Sequence, residues 1–156
     1  MRGLPTAWRR LVACTAAAVV VPLAGCGGSG RLSQAEFTSK ANAICKRAND
    51  QLKRLPSART FEAVAPTVDR LTQIANGELS DLKKLKPPKA DQVKFDLFLN
   101  DLRSGVAKLP ELKAAAQARD RARARSVLRE IASNPSDKDA QALGLSECAR
   151  NPSSPS

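Results

Sequence analysis

The chain has no histidine, which removes the commonest general base and the commonest metal ligand. No Ser/His/Asp set can therefore form. Neither a Gly-x-Ser-x-Gly elbow nor a Gly-x-x-x-x-Gly-Lys phosphate loop occurs in the 156 residues. A helical di-metal centre needs Glu-x-x-His on paired helices, so it too is excluded. Two carboxylate pairs are spaced for acid–base work: Asp96 with Asp101, and Asp137 with Asp139. Acids are ordinarily exposed, and both pairs read as solvated helix faces and caps. Asn42 and Asn49 share a face of the first expected helix and read as hydrogen-bonding residues rather than ligands. The residue types thus point away from an enzyme, a resident cofactor or a metal.

Positive charge is the stronger chemical signal. Lys and Arg number 26 against 15 Asp and Glu, a formal balance of +11. Arg119, Arg121, Arg123, Arg125 and Arg129 fall in one segment, offset in part by Asp120 and Glu130. Helical periodicity places Arg119 and Arg123 on one face and Arg121, Arg125 and Arg129 on another. Lys83, Lys84, Lys86 and Lys89 form a second cluster. Such runs are usually solvated surfaces. Their functional alternative is attraction to anionic lipid headgroups or anionic wall polymers. Nucleic acid is disfavoured, because no aromatic residues are interleaved with the charges.

The N-terminal segment carries an address. Arg2, Arg9 and Arg10 precede an apolar run from Leu11 to Leu23. The run is too short to span a bilayer comfortably, which takes about 20 apolar residues. Leu23-Ala24-Gly25-Cys26 follows directly and resembles a bacterial lipobox. That resemblance implies a signal peptide over residues 1–25 and a diacylglycerol with palmitate-type chains on the Cys26 thiol. It also implies a lipoprotein anchored at the extracytoplasmic face of the cell membrane. The alternative is an ordinary secretory signal followed by an incidental cysteine. Arg9-Arg10 hints at twin-arginine export, but Leu11-Val12-Ala13 match that motif poorly, leaving general secretion as the other route. Each buried methylene of an anchor contributes about 0.8 kcal/mol, so two or three chains make release negligible.

The remaining cysteines follow by arithmetic. Of Cys14, Cys26, Cys45 and Cys148, the first leaves with the signal and the second takes the lipid. Cys45 and Cys148 are then the one possible intramolecular couple in an oxidising location. Closing a loop of roughly 100 residues is worth up to about 4.7 kcal/mol. Two buried free thiols are the alternative.

These residues must be held by helices, because Ala and Leu are plentiful while β-branched and aromatic residues are scarce. Residues 26–32, with Gly27-Gly28-Ser29-Gly30, read as a flexible tether. Residues 33–149 read as one helical domain and 150–156 as a disordered polar tail. Ser33 and Glu36 form a capping box before a stripe of Phe37, Ala41, Ile44, Cys45, Ala48 and Leu52. A second helix begins near Thr60 or Ala65, with Pro66 in its first turn, and stops at Pro87-Pro88. A third, capped by Asp91, buries Phe95, Phe98, Leu99, Leu102, Val106 and Leu109; Pro110 kinks or splits it before about Gln117. A fourth spans Arg119 to Ala132, is broken at Asn134-Pro135, and resumes with Ser136 as cap until Gly144 ends it. Short loops make consecutive helices antiparallel. The expected fold is all-α: an up-and-down four-helix bundle with a broken last helix, stapled by one disulfide.

Phe37, Ala41-Asn42-Ala43-Ile44-Cys45 and Asn49 resemble the first helix of small actinobacterial lipoproteins. Leu85-Lys86-Pro87-Pro88 and Leu143-Gly144-Leu145-Ser146-Glu147-Cys148 match further motifs of that group. The resemblance spans about residues 33–149 and implies a helical, extracytoplasmic domain with paired cysteines. It implies no activity, since the group is functionally uncharacterised.

The functional expectation is a non-catalytic binding or interaction module held at the membrane by its lipid, contacting anionic lipid or wall polymer through the arginine face. One alternative is a carrier with an apolar ligand between helices, in a cavity lined by Phe95, Phe98, Leu102 and Val106. Another is an accessory subunit of an envelope assembly, bound to an unidentified protein partner.

Overall fold

The computed structural model describes residues 30–149. The expectations for the signal segment, for Cys26 and for the C-terminal tail fall outside those residues. Among the described residues all regular structure is helical, and no helix is long and apolar enough to cross a membrane.

Helix α1 (Gln34–Leu52) starts where its cap dictates. The Glu36 N–H donates to Ser33 Oγ at 3.3 Å, and the Ser33 N–H donates back to Glu36 Oε2 at 2.9 Å. Two otherwise unpaired donors are thereby satisfied. The helix buries Phe37, Ala41, Cys45 and Ala48, one stripe at helical spacing.

Helix α2 (Phe61–Leu82) is capped by Thr60, whose hydroxyl accepts from the Ala63 N–H at 3.3 Å. Pro66 therefore lies inside the helix and not in its first turn, a correction to the sequence reading. Proline at this position withholds one N–H from the ladder. Next to it, the Thr67 hydroxyl donates to the Ala63 carbonyl at 2.8 Å.

A 3₁₀ turn (Lys89–Asp91) leads into α3 (Gln92–Ala107), and Asp91 makes no side-chain capping bond. Pro110 splits the chain rather than kinking it. Helix α3 closes at Lys108, and α4 (Leu109–Gln117) opens with Pro110 in its first turn, where no N–H is required. Helices α5 (Arg121–Ala132) and α6 (Ser136–Ala142) complete the chain.

Two further boundaries differ from expectation. Helix α5 begins at Arg121, because Asp120 is its cap and accepts from the Arg123 N–H at 2.9 Å. Arg119 lies outside it, at φ 55°. Ser136 is the first residue of α6 and not its cap. The Asn134 side chain takes that role, accepting from the Ser136 N–H at 2.9 Å while donating to the Asp101 carbonyl at the same distance.

Two apolar clusters share α2. The first joins Phe37, Ala41 and Cys45 with Leu79, Leu82, Phe95, Phe98 and Leu145. Phe37 meets Phe95 edge to face, ring centroids 5.0 Å apart. Fully burying such side chains contributes about 1.5–3 kcal/mol each. The second cluster joins Val68 with Leu109, Leu112 and Val127. Helix α2 has 22 residues, a length of about 33 Å, enough to serve both. The break before Pro110 frees α4 to pack on α2 within the second cluster.

The C-terminal segment is tied to α1. Gly144 (φ 72°) ends α6 in a left-handed turn: the Gly144 N–H donates to Gln141 O at 3.0 Å and the Leu145 N–H to Ala140 O at 2.8 Å. That turn drives Leu145 fully into the core and carries the chain back over α1. There Cys148 meets Cys45 at disulfide distance, with Sγ atoms 2.01 Å and Cα atoms 5.0 Å apart.

Candidate functional site

Helix α4 packs against both α2 and α5, and a groove lies between the N-terminal parts of those two helices. The groove has a volume of about 620 Å³ and is lined by Arg59, Phe61, Val64, Arg121, Arg125 and Leu128, among others. Its walls follow from local sequence. Thr60 starts α2, so Arg59 precedes the helix and Phe61 opens it. On α5, Arg121, Arg125 and Leu128 recur at spacings of four and three and face the same way. The Arg121 guanidinium lies over the Phe61 ring, 5.6 Å from its centroid. A cation–π contact of this kind holds the charge in place while leaving its donors free.

The structure divides the five sequence-predicted arginines. Arg121 and Arg125 line the groove. Arg119 stands at the rim and donates to Glu62 Oε1 at 2.8 Å. The Glu62 carboxyl is held below its ordinary range, first by its own backbone amide, then by the Thr60 hydroxyl and by Arg119. Arg123 turns instead toward α4 and pairs with Glu111. Arg129 is exposed and does not line the groove. The two-face division expected from unbroken helix is thus corrected, because Arg119 belongs to a turn. Arg59 and Phe61 were not anticipated as site residues. Only the tertiary packing of α2 against α4 brings them beside α5.

A second space adjoins the first. A cavity of about 290 Å³ lies where the two apolar clusters meet. Leu71, Leu102, Val106, Leu109, Leu112 and Ile131 give it an apolar wall, and Asn49, Asn134 and Asp137 contribute polar groups. Leu128, half exposed, lines both cavity and groove. Of the lining expected for an apolar ligand, Leu102 and Val106 take part. Phe95 and Phe98 do not, since each is 1% exposed inside the first cluster.

The carboxylates pair differently from either sequence proposal. Asp139 on α6 faces Asp101 on α3. Burial raises the Asp139 carboxyl, and the hydrogen bond and charge of Asp101 raise it further. Its Oδ2 is buried without a hydrogen-bond partner. Asp96 instead accepts from Gln92 Nε2 at 2.9 Å, and Asp137 lines the cavity. Among the described residues no group of His, Cys, Asp or Glu is arranged to hold a metal ion.

The second basic cluster sits at the opposite end of α2. Lys83, Lys84, Lys86 and Lys89 are all exposed there. The segment that precedes α1 is fastened beside them: the Leu32 N–H donates to Lys86 O at 2.9 Å, and Arg31 donates to Pro87 O at 2.9 Å and to Gln92 Oε1 at 2.7 Å. The lysines therefore surround the point where residues 30–32 join the domain, while the arginine groove lies about 33 Å away along α2.

Comparison with protein-family models, curated proteins and solved structures returned no match for this chain.

Proposed function

We propose that the protein is a lipid-anchored, extracytoplasmic binding module without catalytic activity, which takes an anionic envelope component in the groove between α2 and α5. The observation that carries this reading is the convergence of Arg59, Arg121 and Arg125 around Phe61 and Leu128. Arginine presents several fixed donors and suits phosphate or carboxylate groups. An apolar floor beneath the cations lowers the local dielectric and strengthens their pull on an anion. The lipobox-like Leu23-Ala24-Gly25-Cys26 supports the anchor, and the Cys45–Cys148 couple fits an oxidising compartment.

In this reading the six helices form an up-and-down bundle of four units: α1, α2, α3 continued by α4, and α5 continued by α6. Tether and lysines share one end, so anionic headgroups attract Lys83, Lys86 and Lys89 toward the bilayer. The arginine groove then faces away from the anchoring membrane, toward wall polymer.

The test is binding of the purified protein to poly(glycerol phosphate), measured against salt. Binding should weaken steeply with ionic strength and fall at least tenfold in Arg121→Gln/Arg125→Gln. Binding that ignores both salt and the double substitution would refute the assignment.

A further inference from the structure

Groove and cavity are adjacent and of opposite character. The groove carries Arg59, Arg121 and Arg125 beside one acid, Glu62, whereas most of the cavity wall is Leu, Val and Ile side chains. Leu128 is the residue they share. It is 50% exposed, whereas its neighbour Val127, pointing to another face of α5, is fully buried. One stripe of α5 thus runs from cation to apolar residue as Arg121, Arg125, Leu128 and Ile131. The facing stripe of α2 runs in the same sense, from Phe61 and Val64 to Leu71 and Ala75.

We propose that groove and cavity form one binding site for a single-chain anionic amphiphile, with its phosphate or carboxylate head on Arg59, Arg121 and Arg125 and its alkyl chain passing Leu128 into the cavity. The assignment rests on the anion reading above and adds the apolar half of the ligand. Charge complementarity fixes the orientation: the arginine end takes the head. The cavity offers the head no cation, because no Lys or Arg lines it. Its volume of about 290 Å³ suits one alkyl chain better than two. Asn49 and Asn134, which also line it, are engaged with Glu147 O and Asp101 O and leave the chain an apolar surface.

The probes are butyl, hexyl, octyl and decyl phosphate, titrated by calorimetry at constant ionic strength into the full chain carrying Cys26→Ser. Each methylene entering the cavity should raise affinity about fourfold. Arg125→Gln should weaken every member of the series by a similar factor. Ala75→Leu, which fills part of the cavity, should flatten the chain-length dependence. Leu128→Ala, at a half-exposed position, should reduce the gain per methylene without threatening the fold. A chain-length series that is flat in the unsubstituted chain would overturn the amphiphile site and leave the anion reading standing. Decanol binding as tightly as decyl phosphate would overturn the placement of the head. Absence of binding by any phosphate, butyl included, would overturn both readings.

Discussion

Asn42 and Asn49 grip the same residue from two sides. The Glu147 N–H donates to Asn42 Oδ1 at 3.0 Å, while Asn49 Nδ2 donates to the Glu147 carbonyl at 2.7 Å. The two asparagines lie two turns apart on α1 with Cys45 between them, and Cys148 follows Glu147 in the chain. The C-terminal segment is thus registered on α1 by hydrogen bonds on either side of the disulfide.

This clamp separates two contributions that sequence alone would merge. Asn42→Ala or Asn49→Ala should each cost about 0.5–1.5 kcal/mol in urea unfolding. Reducing a bridge whose cysteines are 103 residues apart should cost up to about 4.7 kcal/mol. In the reduced protein the asparagine substitutions should also lower protection of the Glu147 amide in hydrogen exchange. Unchanged protection there would show that the two asparagines do not hold the segment on α1.

Two helix ends use the same backbone turn with different residues. After α6 it is Gly144, at φ 72°; after α4 it is Arg119, at φ 55°, with the Asp120 N–H donating to Ala115 O at 2.9 Å. A side chain in this region is strained by about 1–2 kcal/mol. Arg119→Gly should therefore raise stability by about 0.5–1 kcal/mol after the entropy of the unfolded glycine is counted, since the solvent-exposed pair with Glu62 returns little. Gly144→Ala should lower it. Paired thermal melts decide the matter, and equal signs for the two changes would contradict the turn geometry.

The Asp101–Asp139 contact predicts a pH dependence of definite sign. Asp139 has its carboxyl raised above the ordinary value of 3.8 by burial and then by Asp101. The folded state thus holds this proton more tightly than the unfolded one, and the contribution falls as pH rises from 3.8 through the folded value. Glu36, Asp50, Asp81 and Glu130 are lowered, so their contributions run the other way and are lost as pH falls. Asp139→Asn removes the first effect alone. The stability difference between variant and parent should tilt toward the variant as pH rises above 3.8. A flat difference in urea midpoint would show that the Asp139 carboxyl is not raised in the folded protein.

Two leucines test the division between core and site. Leu145 is fully buried, whereas Leu128 is 50% exposed. Leu145→Ala should cost about 3–5 kcal/mol, and Leu128→Ala less than about 1 kcal/mol. Comparable losses in denaturant midpoint would mean that Leu128 is a core residue and not part of a binding surface.

Much of the fold was legible because its signals are local. The Ser33–Glu36 box, the stripe through Phe37, Ala41 and Cys45, and the glycine stop at Gly144 are all written within a few residues. The cysteine couple was legible by arithmetic, and the structure brings the two residues together. What failed needed tertiary information. Pro66 reads as a first-turn residue, yet Thr60 captures the helix start six positions earlier. Arg119 reads as helical, yet the chain must turn there so that α5 can pack on α4. The arginine alternation was visible, but half of the groove comes from Arg59 and Phe61, some sixty residues away, and no local pattern announces that meeting. Asp101 and Asp139 met for the same reason, through the packing of α6 on α3.

A domain displayed outside the cytosol is the premise for both the stapled C-terminus and a groove open to envelope anions. Intact mass spectrometry of the native protein, purified from membranes without reductant, tests that premise most directly. The predicted species begins at Cys26, carries acyl mass on that residue, and is two hydrogens lighter than the reduced chain. An unprocessed chain with all four cysteines free and no acyl mass would contradict it.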